Sequence, residues 1–418
     1  MSWDFSTDPE YESKLAWARE FVEREVYPLE VLDLDQVRVR ELARPLQQEV
    51  KAAGLWAAHL GPEIGGQGYG QVKLGLLHEI LGRSDLAPYV FGCQAPDSGN
   101  AELISLAGTP EQRKRWLDPL LAGELYSAYS MTEQGTGSDP KQFRTRAVRD
   151  GDEYVINGTK WFVGNASRSD FHITMVVTNP DVHPYSGMSM LIVPSGTPGI
   201  TMRHLANMHD TDLDDPLYVH DEVTYCDVRV PAENLLGGEG EAFVLAQKRL
   251  GPGRIHHSMR WIGQCRRAFD AICERAVSVS VHGSLLADKQ MIQQWIADSA
   301  AAIEAARLLT LYAAWKIDNF GSSGARTEIA MIKYHGAAVM QEVLDKAVQI
   351  YGSLGYSRDM PLEAMYRWGR AARLYDGPDE VHKVTVARQL LRGYEPVEIP
   401  SEHIPTRRAR AREQHPGC

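Results

Sequence analysis

The chain has 418 residues, of which 44% are hydrophobic and 24% are charged, a composition typical of a globular protein with two or three domains. Its formal net charge of -11, from 44 basic and 55 acidic residues, argues against a nucleic-acid-binding protein, because such proteins usually carry a basic face. No run of about 18 apolar residues is present, so we expect no membrane span.

Cysteine usage and the first residues bear on the compartment. The five cysteines form no C-x-x-C pair, so we expect neither a disulfide framework nor a zinc site; they are Cys93, Cys226, Cys265, Cys273 and Cys418. The N-terminal segment is acidic and lacks the apolar stretch of a signal peptide. The pattern therefore favours a reduced, cytoplasmic protein.

Residues 1–125 have the periodicity of helices. Leu15, Ala18 and Val22 recur at helical spacing, with charged residues between them. The segment Thr109-Pro110-Glu111-Gln112 is typical of a helix start, because it combines an N-cap residue with proline in the first turn. These features predict an N-terminal α-helical domain.

Residues 126–238 are rich in β-branched and aromatic residues. The Asn157-Gly158-Thr159 step, between two short apolar runs, predicts a β-hairpin. Further strands are predicted over 171–178, 188–193 and 223–230. The middle of the chain is therefore predicted to be a β domain.

Residues 239–395 return to long helical patterns, and residues 396–418 form a tail. The segment Gly321-Ser322-Ser323-Gly324 predicts a turn between two of the helices. The tail is rich first in proline and then in arginine, and we expect it to be frayed. The α–β–α order differs from the alternating βαβ units of a dinucleotide-binding fold.

Three segments have the composition of a functional site. The loop 129–139 is dense in glycine and hydroxyl groups, which suits a phosphate or the polar edge of a ring, but also an ordinary turn. The strand 158–165 carries aromatic residues that could stack on a flat cofactor or fill a core. Asp376, in the segment 374–382, could act as a general base or cap the next helix.

Four motifs in chain order resemble the acyl-CoA dehydrogenase family. They are Thr-Glu-x-x-x-Gly-Ser-Asp over 132–139, Asn-Gly-x-Lys over 157–160, Gln-x-x-Gly-x-x-Gly-Tyr over 349–356 and Tyr-Asp-Gly over 375–377. The resemblance extends over nearly the whole chain, from about residue 10 to residue 392. Segments 250–257 and 376–382 look most like the branch of family members 10 and 11, without their extra N-terminal domains.

The resemblance implies an α+β fold and an enzymatic activity. The expected architecture is an α-helical domain, a middle β-barrel-like domain and a C-terminal four-helix bundle. The expected reaction is FAD-dependent α,β-dehydrogenation of an acyl-CoA, with electrons passed to an electron-transfer flavoprotein. Asp376 matches the family's catalytic base, and we expect burial against the apolar acyl chain to raise the pKa of its carboxyl toward neutral pH.

The resemblance also implies binding residues. Those for the cofactor are Tyr129, Met131, Thr132, Gly137, Ser138, Phe162, Val163, Gly164, Gln290, Gln349, Gly352, Ser353, Pro378 and Glu380. Those for the acyl-CoA substrate are Ser138, Arg254 and Gly377. Because Gln290 and the stretch from Gln349 to Ser353 are expected to meet the FAD of a neighbouring subunit, the protein is predicted to be a homodimer or homotetramer.

The sequence departs from the family pattern at three positions. Val279 replaces an arginine that meets the neighbour's FAD phosphate, Gly164 stands where many relatives carry threonine or serine near flavin N5, and Trp368 replaces a common aspartate. Two other functions therefore stay open. One is a flavin oxidase on the same fold, similar to nitroalkane oxidase, and the other is a flavin-poor scaffold subunit. His256 and His257 are expected to be packing or supporting groups, since no metal cluster accompanies them.

Overall fold

The structure is a computed structural model that describes residues 6–32, 34–208, 218–396 and 405–417. Helices and strands occur in the order expected for an α+β fold, which confirms the predicted fold class. Within the described residues, each helix is too short or too polar to cross a membrane. Asp33 and Cys418, and residues 1–5, 209–217 and 397–404, lie outside the described residues.

Among the residues that the structure describes, eight α-helices precede the first strand. They are α1 (Pro9–Phe21), α2 (Tyr27–Glu30), α3 (Gln36–Ala52), α4 (Gln71–Leu81), α5 (Ala87–Val90), α6 (Asp97–Ala107), α7 (Pro110–Gln112) and α8 (Asp118–Ala122). Single π-helical turns connect α1 to α2 and α7 to α8. The predicted helix start is confirmed, because the Thr109 and Gln112 side chains form a reciprocal capping box at α7.

In the described part of the middle of the chain, eight strands form one sheet. They are β1 (Ser127–Ser130), β2 (Arg146–Asp150), β3 (Glu153–Gly164), β4 (Phe171–Val177), β5 (Met188–Pro194), β6 (Ile200–His204), β7 (His220–Pro231) and β8 (Leu235–Leu236). The order across the sheet is β6-β7-β3-β2-β4-β5-β8, and β1 adds to β4 in parallel. The three later strands predicted from the sequence correspond to β4, β5 and β7.

The predicted hairpin at Asn157-Gly158 is wrong, because β3 passes straight through these residues. The pairing with β7 shifts register there, and the Asn157 side chain bonds both the backbone and the carboxylate of Asp227. A Cβ on Gly158 would lie 2.6 Å from the Thr145 Cα atom. Glycine therefore permits a β-bulge against a close neighbour, and the true hairpin turn is at Gly151.

Long helices dominate the C-terminal part. They are α9 (Ala242–Ser278), α10 (Gln290–Gly324), α11 (Arg326–Tyr351), α12 (Leu362–Ala371), α13 (Asp379–Leu391) and α14 (Pro405–Gln414), with a small hairpin of β9 (Ser280–Val281) and β10 (Ser284–Leu285) after α9. Gly321 interrupts α10 with φ 71°, as the sequence predicts for this turn. The expectation of a frayed tail is wrong over α14, whose alanine, arginine and glutamate residues favour helix.

Helix α9 connects the N-terminal helices to the C-terminal bundle. It crosses α4 so closely that a Cβ on Gly263 would lie 2.2 Å from the Glu79 carbonyl oxygen. A Cβ on Gly82 would come equally near the Arg260 carbonyl oxygen. Two glycines therefore set the distance between α4 and α9. Other side chains of α9 point toward the start of α13.

A buried ion pair anchors the loop that follows β1. The Lys160 ammonium on β3 is fully buried and donates to a Glu133 carboxylate oxygen at 2.8 Å and to the Met131 carbonyl at 2.9 Å. The same carboxylate accepts the backbone N–H groups of Arg144 and Thr145. These bonds outweigh burial and lower the pKa of Glu133, so the carboxylate stays ionised.

We expect Glu133→Gln to destabilise the fold by about 3–5 kcal/mol, because it leaves the buried Lys160 ammonium without a counter-charge. Denaturant titration followed by circular dichroism measures the change. As a control, Asp150→Asn removes a surface bridge to Arg229, whose side chain is half exposed, and should leave the unfolding midpoint nearly unchanged. Equal effects of the two substitutions would contradict a structural role for the buried pair.

Candidate functional site

The turn between α12 and α13 holds Asp376 in an unusual backbone conformation. Asp376 has φ 54° and Gly377 has φ 98°, so two consecutive residues adopt the left-handed region. A non-glycine residue in this region is strained and often lies at a functional site. Pro378, not Asp376, is the N-cap residue of α13, which excludes the interpretation of Asp376 as a helix cap.

Three helices hold the backbone of this turn, which we call the Asp376 turn (residues 375–378). Arg254 on α9 donates from Nη2 to the Asp376 carbonyl at 3.1 Å, and a ring nitrogen of His382 on α13 lies 3.1 Å from the same oxygen. Lys333 on α11 is fully buried and donates to the Gly377 carbonyl at 3.1 Å and the Ala372 carbonyl at 2.6 Å. The strained conformation is therefore fixed by its surroundings.

The charges around Asp376 favour its ionised form. Burial alone would raise the pKa of the Asp376 carboxyl, but the cations of Arg254, Arg249 and Lys333, and His257 while its ring is protonated, outweigh burial and lower it. The raised pKa expected for Asp376 packed against an acyl chain stays a prediction, and these neighbours, supplied by α9 and α11, cannot be identified from the local sequence. Asp376 is a carboxylate at neutral pH.

Within the described residues, the ion-pair partner of the Asp376 carboxylate is His257. Its Nδ1 atom lies 3.3 Å from Oδ2 but lacks the alignment of a hydrogen bond. Burial lowers the pKa of His257 to about 4, so the ring is neutral at physiological pH. His256 points elsewhere and stacks on His78 with ring centroids 4.4 Å apart. The two histidines thus separate into a packing group and a neighbour of Asp376.

The loop after β1 brings several of the predicted cofactor residues together. Met131 and Thr132 offer backbone groups, and their carbonyl oxygens are engaged by Lys160 and by the Trp161 N–H, the latter at 2.7 Å. Ser138 and Gly137 are exposed further along the loop. This surface therefore presents hydroxyl and backbone N–H groups beside β3.

Tyr129 lies on β1, just before this loop. The Arg249 guanidinium lies 4.1 Å from the centre of the Tyr129 ring, and the Tyr129 hydroxyl is buried without a hydrogen-bond partner. Burial raises the pKa of Tyr129 to about 12, with a contribution from Asp376. The phenol is therefore protonated, and electrostatic coupling relates it to the candidate base.

Phe162 lies at a second irregularity of β3. Its φ is 51°, the register with β7 shifts between Lys160 and Val163, and 46% of the Phe162 residue is exposed. Val163 points into the core, so only its backbone can contact a ligand. The interpretation of Phe162 as a core aromatic is therefore wrong, because the bulge turns its ring outward.

A second group of predicted residues lies elsewhere. Gln290 begins α10, and Gln349, Gly352 and Ser353 lie at the end of α11, all exposed. Lys333 and Gln349 are 16 residues apart on α11, which corresponds to about 24 Å along the helix. Pro378 lies in the Asp376 turn, and Glu380 lies in the first turn of α13, directly after it. The predicted cofactor residues thus form two separated groups in one chain.

The cation expected near the second group is absent at position 279, where α9 ends. Val279 is the C-cap residue of α9, and the exposed His282 forms the turn between β9 and β10 with φ 53°. One turn earlier, Arg275 lies over the Tyr351 ring at 5.2 Å, and its Nε atom is buried without a partner. Arg275 therefore supplies a positive charge beside the Gln349–Ser353 stretch.

Sequence reasoning missed three residues that build the site. Lys333 lies 43 residues before Asp376 in an ordinary helical pattern, and nothing local distinguishes it from a surface lysine. Glu133 and Lys160 were part of recognised motifs but had no assigned function. Apolar residues on both sides of a lysine in the sequence are only a weak signal that the lysine is buried. The partner of its ammonium group can be identified only from the fold.

The chain matches all three domains of one protein family, each described as an acyl-CoA dehydrogenase domain. The N-terminal domain matches residues 8–124, the middle domain residues 128–214 and the C-terminal domain residues 240–391. Together they cover most of the chain, including the loop after β1 and the Asp376 turn.

Individual relatives agree. Probable acyl-CoA dehydrogenase FadE2 of Mycobacterium tuberculosis is 43% identical over 347 residues, 82% of this chain and 84% of that protein. Acyl-CoA dehydrogenase family member 11 of Gallus gallus is 42% identical over 82% of this chain, which spans only 44% of that relative. Butyryl-CoA dehydrogenase from Megasphaera elsdenii is a solved structure with TM-score 0.79 and 28% identity, covering 93% of this chain and 100% of that one. The chain therefore belongs to the acyl-CoA dehydrogenase family of oxidoreductases.

Proposed function

We propose that this chain uses FAD to remove two hydrogens from the α and β carbons of an acyl-CoA thioester, giving the trans-2-enoyl-CoA, with Asp376 as the base for the α-proton. The observation that carries the proposal is the ionised Asp376 carboxylate, partly exposed and held on a strained turn directly before α13. A general base requires this combination of access, ionisation and fixed position.

The residues beside β3 fit a flat ring with a polar edge. An exposed aromatic ring at Phe162 suits stacking, and the loop from Met131 to Ser138 offers N–H and hydroxyl groups. A Cβ on Gly137 would meet no heavy atom within 4 Å, so the loop is open on that side. When bound there, FAD supplies an acceptor for the β-hydride at its N5 atom.

Asp376 accepts a proton that the thioester makes acidic. Removal of the α-proton places negative charge on the thioester oxygen, and the backbone N–H of Asp376 is the expected hydrogen-bond donor to it. Arg254, Lys333 and His382 fix the carbonyl side of the turn, so this N–H keeps its direction. The aspartate side chain is one methylene shorter than that of glutamate. The left-handed backbone of Asp376 compensates for the shorter reach, because it sets the position from which the side chain extends.

Arg254, Gly377 and Ser138 are the proposed contacts to the acyl-CoA. The Nε atom of Arg254 is buried without a partner, although Nη2 is bonded to the Asp376 carbonyl, so this guanidinium retains a donor. Ser138 is exposed at the loop after β1. The guanidinium and the hydroxyl suit the polar thioester and pantetheine portions of the substrate.

The separation of the two cofactor groups supports a homo-oligomer. Gln290 and the Gln349–Ser353 stretch are proposed to bind the FAD of a neighbouring subunit, with Arg275 as a cation for its phosphates in place of the missing arginine.

An electron-transfer flavoprotein is the proposed acceptor. A solved structure described as the electron transferring flavoprotein of Acidaminococcus fermentans supports this, with 28% identity and TM-score 0.80. The four described cysteines are unpaired, which suits the cytoplasm.

Asp376→Asn should retain FAD but lose reduction of the flavin by acyl-CoA by at least about a thousandfold, because an amide cannot accept the proton. Anaerobic stopped-flow bleaching of the yellow protein with a ladder of acyl-CoAs measures the rate. Asp345→Asn, at an exposed position of α11, is the matched control and should bleach normally. Unchanged bleaching of Asp376→Asn would remove Asp376 from its proposed role.

The lowered pKa of Asp376 predicts a flat pH profile for flavin reduction between about pH 5 and pH 8, because the base is already ionised there. Arg254→Gln removes a cation that lowers this pKa, so its acid limb should move to higher pH. Arg254→Lys retains the charge and should keep the limb near its original position. Rapid-mixing measurements of kcat/KM across pH distinguish the two variants, and identical limbs contradict the electrostatic assignment.

Air and an electron-transfer flavoprotein separate the dehydrogenase from an oxidase. After reduction by acyl-CoA, the protein should pass electrons to the flavoprotein and produce little hydrogen peroxide. Peroxide formed in proportion to substrate would instead identify the oxidase. A purified chain that lacks flavin would support the scaffold interpretation and contradict the proposed function.

A further inference from the structure

The space beside Gly164, at the end of β3, is filled by another residue. A Cβ built on Gly164 would lie 2.5 Å from the Tyr218 hydroxyl oxygen and 2.9 Å from the Tyr218 Cζ atom. The Gly164 backbone is not in the left-handed region, so conformation does not require glycine here. The requirement comes from the phenol, which occupies the place of a side chain at position 164.

Tyr218 is braced within a row of aromatic rings. Its ring meets Trp368 on α12 edge to face, with centroids 5.9 Å apart, and His220 with centroids 5.0 Å apart. His220 in turn meets the exposed Phe162 ring at 5.9 Å. The row therefore extends from the proposed stacking residue on β3 to the helix that precedes the Asp376 turn.

The Tyr218 hydroxyl remains protonated. Burial raises the pKa of Tyr218 to about 12, and Asp376 contributes to the increase. A phenol can donate one hydrogen bond and accept others, as a threonine or serine hydroxyl can. Tyr218 thus brings the chemical group that Gly164 lacks to the same place, from a different segment of the chain.

We propose that the Tyr218 hydroxyl replaces the threonine or serine hydroxyl found at position 164 in many relatives and hydrogen-bonds the flavin ring. Gly164 makes room for the phenol, and Trp368 holds its ring. One compensating residue thereby explains two departures from the family pattern. The inference rests on the proposed FAD site, but it concerns a residue to which the sequence motifs assign no function.

The first test removes only the hydroxyl. Tyr218→Phe should keep one FAD per chain and the melting temperature, shift the visible absorption spectrum of the bound flavin without substrate, and slow flavin reduction by acyl-CoA about tenfold, as expected for one lost hydrogen bond. Tyr185→Phe, which keeps its ring stacked on Phe243, is the control and should leave spectrum and rate unchanged. An unchanged spectrum and rate in Tyr218→Phe overturns the proposal.

The second test exchanges the two positions. Gly164→Thr alone should lower FAD content and melting temperature, because its Cβ collides with the phenol. Adding Tyr218→Ala should restore FAD content and a flavin spectrum close to that of the parent. A double variant no better than Gly164→Thr contradicts the proposal. A parent protein without FAD would instead contradict the proposed function, so the two failures are distinguishable.

Discussion

The candidate site depends on the hydrogen bonds that hold the Asp376 turn. The left-handed conformation of an aspartate is unfavourable by itself, so it persists only when neighbouring groups fix it. Arg254, Lys333 and His382 come from three different helices and bond carbonyl groups of this turn, and Lys333 also bonds the carbonyl of Ala372, three residues before it. The side chain of Asp376 is consequently directed by the packing of the helical bundle and not by its local sequence.

The same arrangement decides the charge of the base. Arg254 and Lys333 bond carbonyl groups at this turn and also lower the pKa of the Asp376 carboxyl, and with His257 and Arg249 they outweigh the effect of burial. Position and ionisation therefore have one structural origin. In the sheet, the buried pair of Glu133 and Lys160 fixes the loop after β1, and Phe162 on the same strand as Lys160 is exposed.

Part of this organisation could be predicted from the sequence. The α–β–α order, the capped helix at Thr109 and the candidate base all follow from local patterns, which depend on residues close in the chain. The Asn157-Gly158 step shows the limit, because the same dipeptide that favours a turn also suits a bulge, and only the pairing with β7 distinguishes them. Lys333 shows the same limit, since its burial depends on distant partners.

The sequence by itself determined the family, the order of the elements and the chemical types available at the site, because motifs and periodicity are local properties of the chain. Only the tertiary structure decided that Asp376 is ionised and that Tyr218 occupies the space beside Gly164. Both results depend on groups that are far apart in sequence and close in space. Electrostatic shifts and excluded volume act through distance, which the order of residues does not specify.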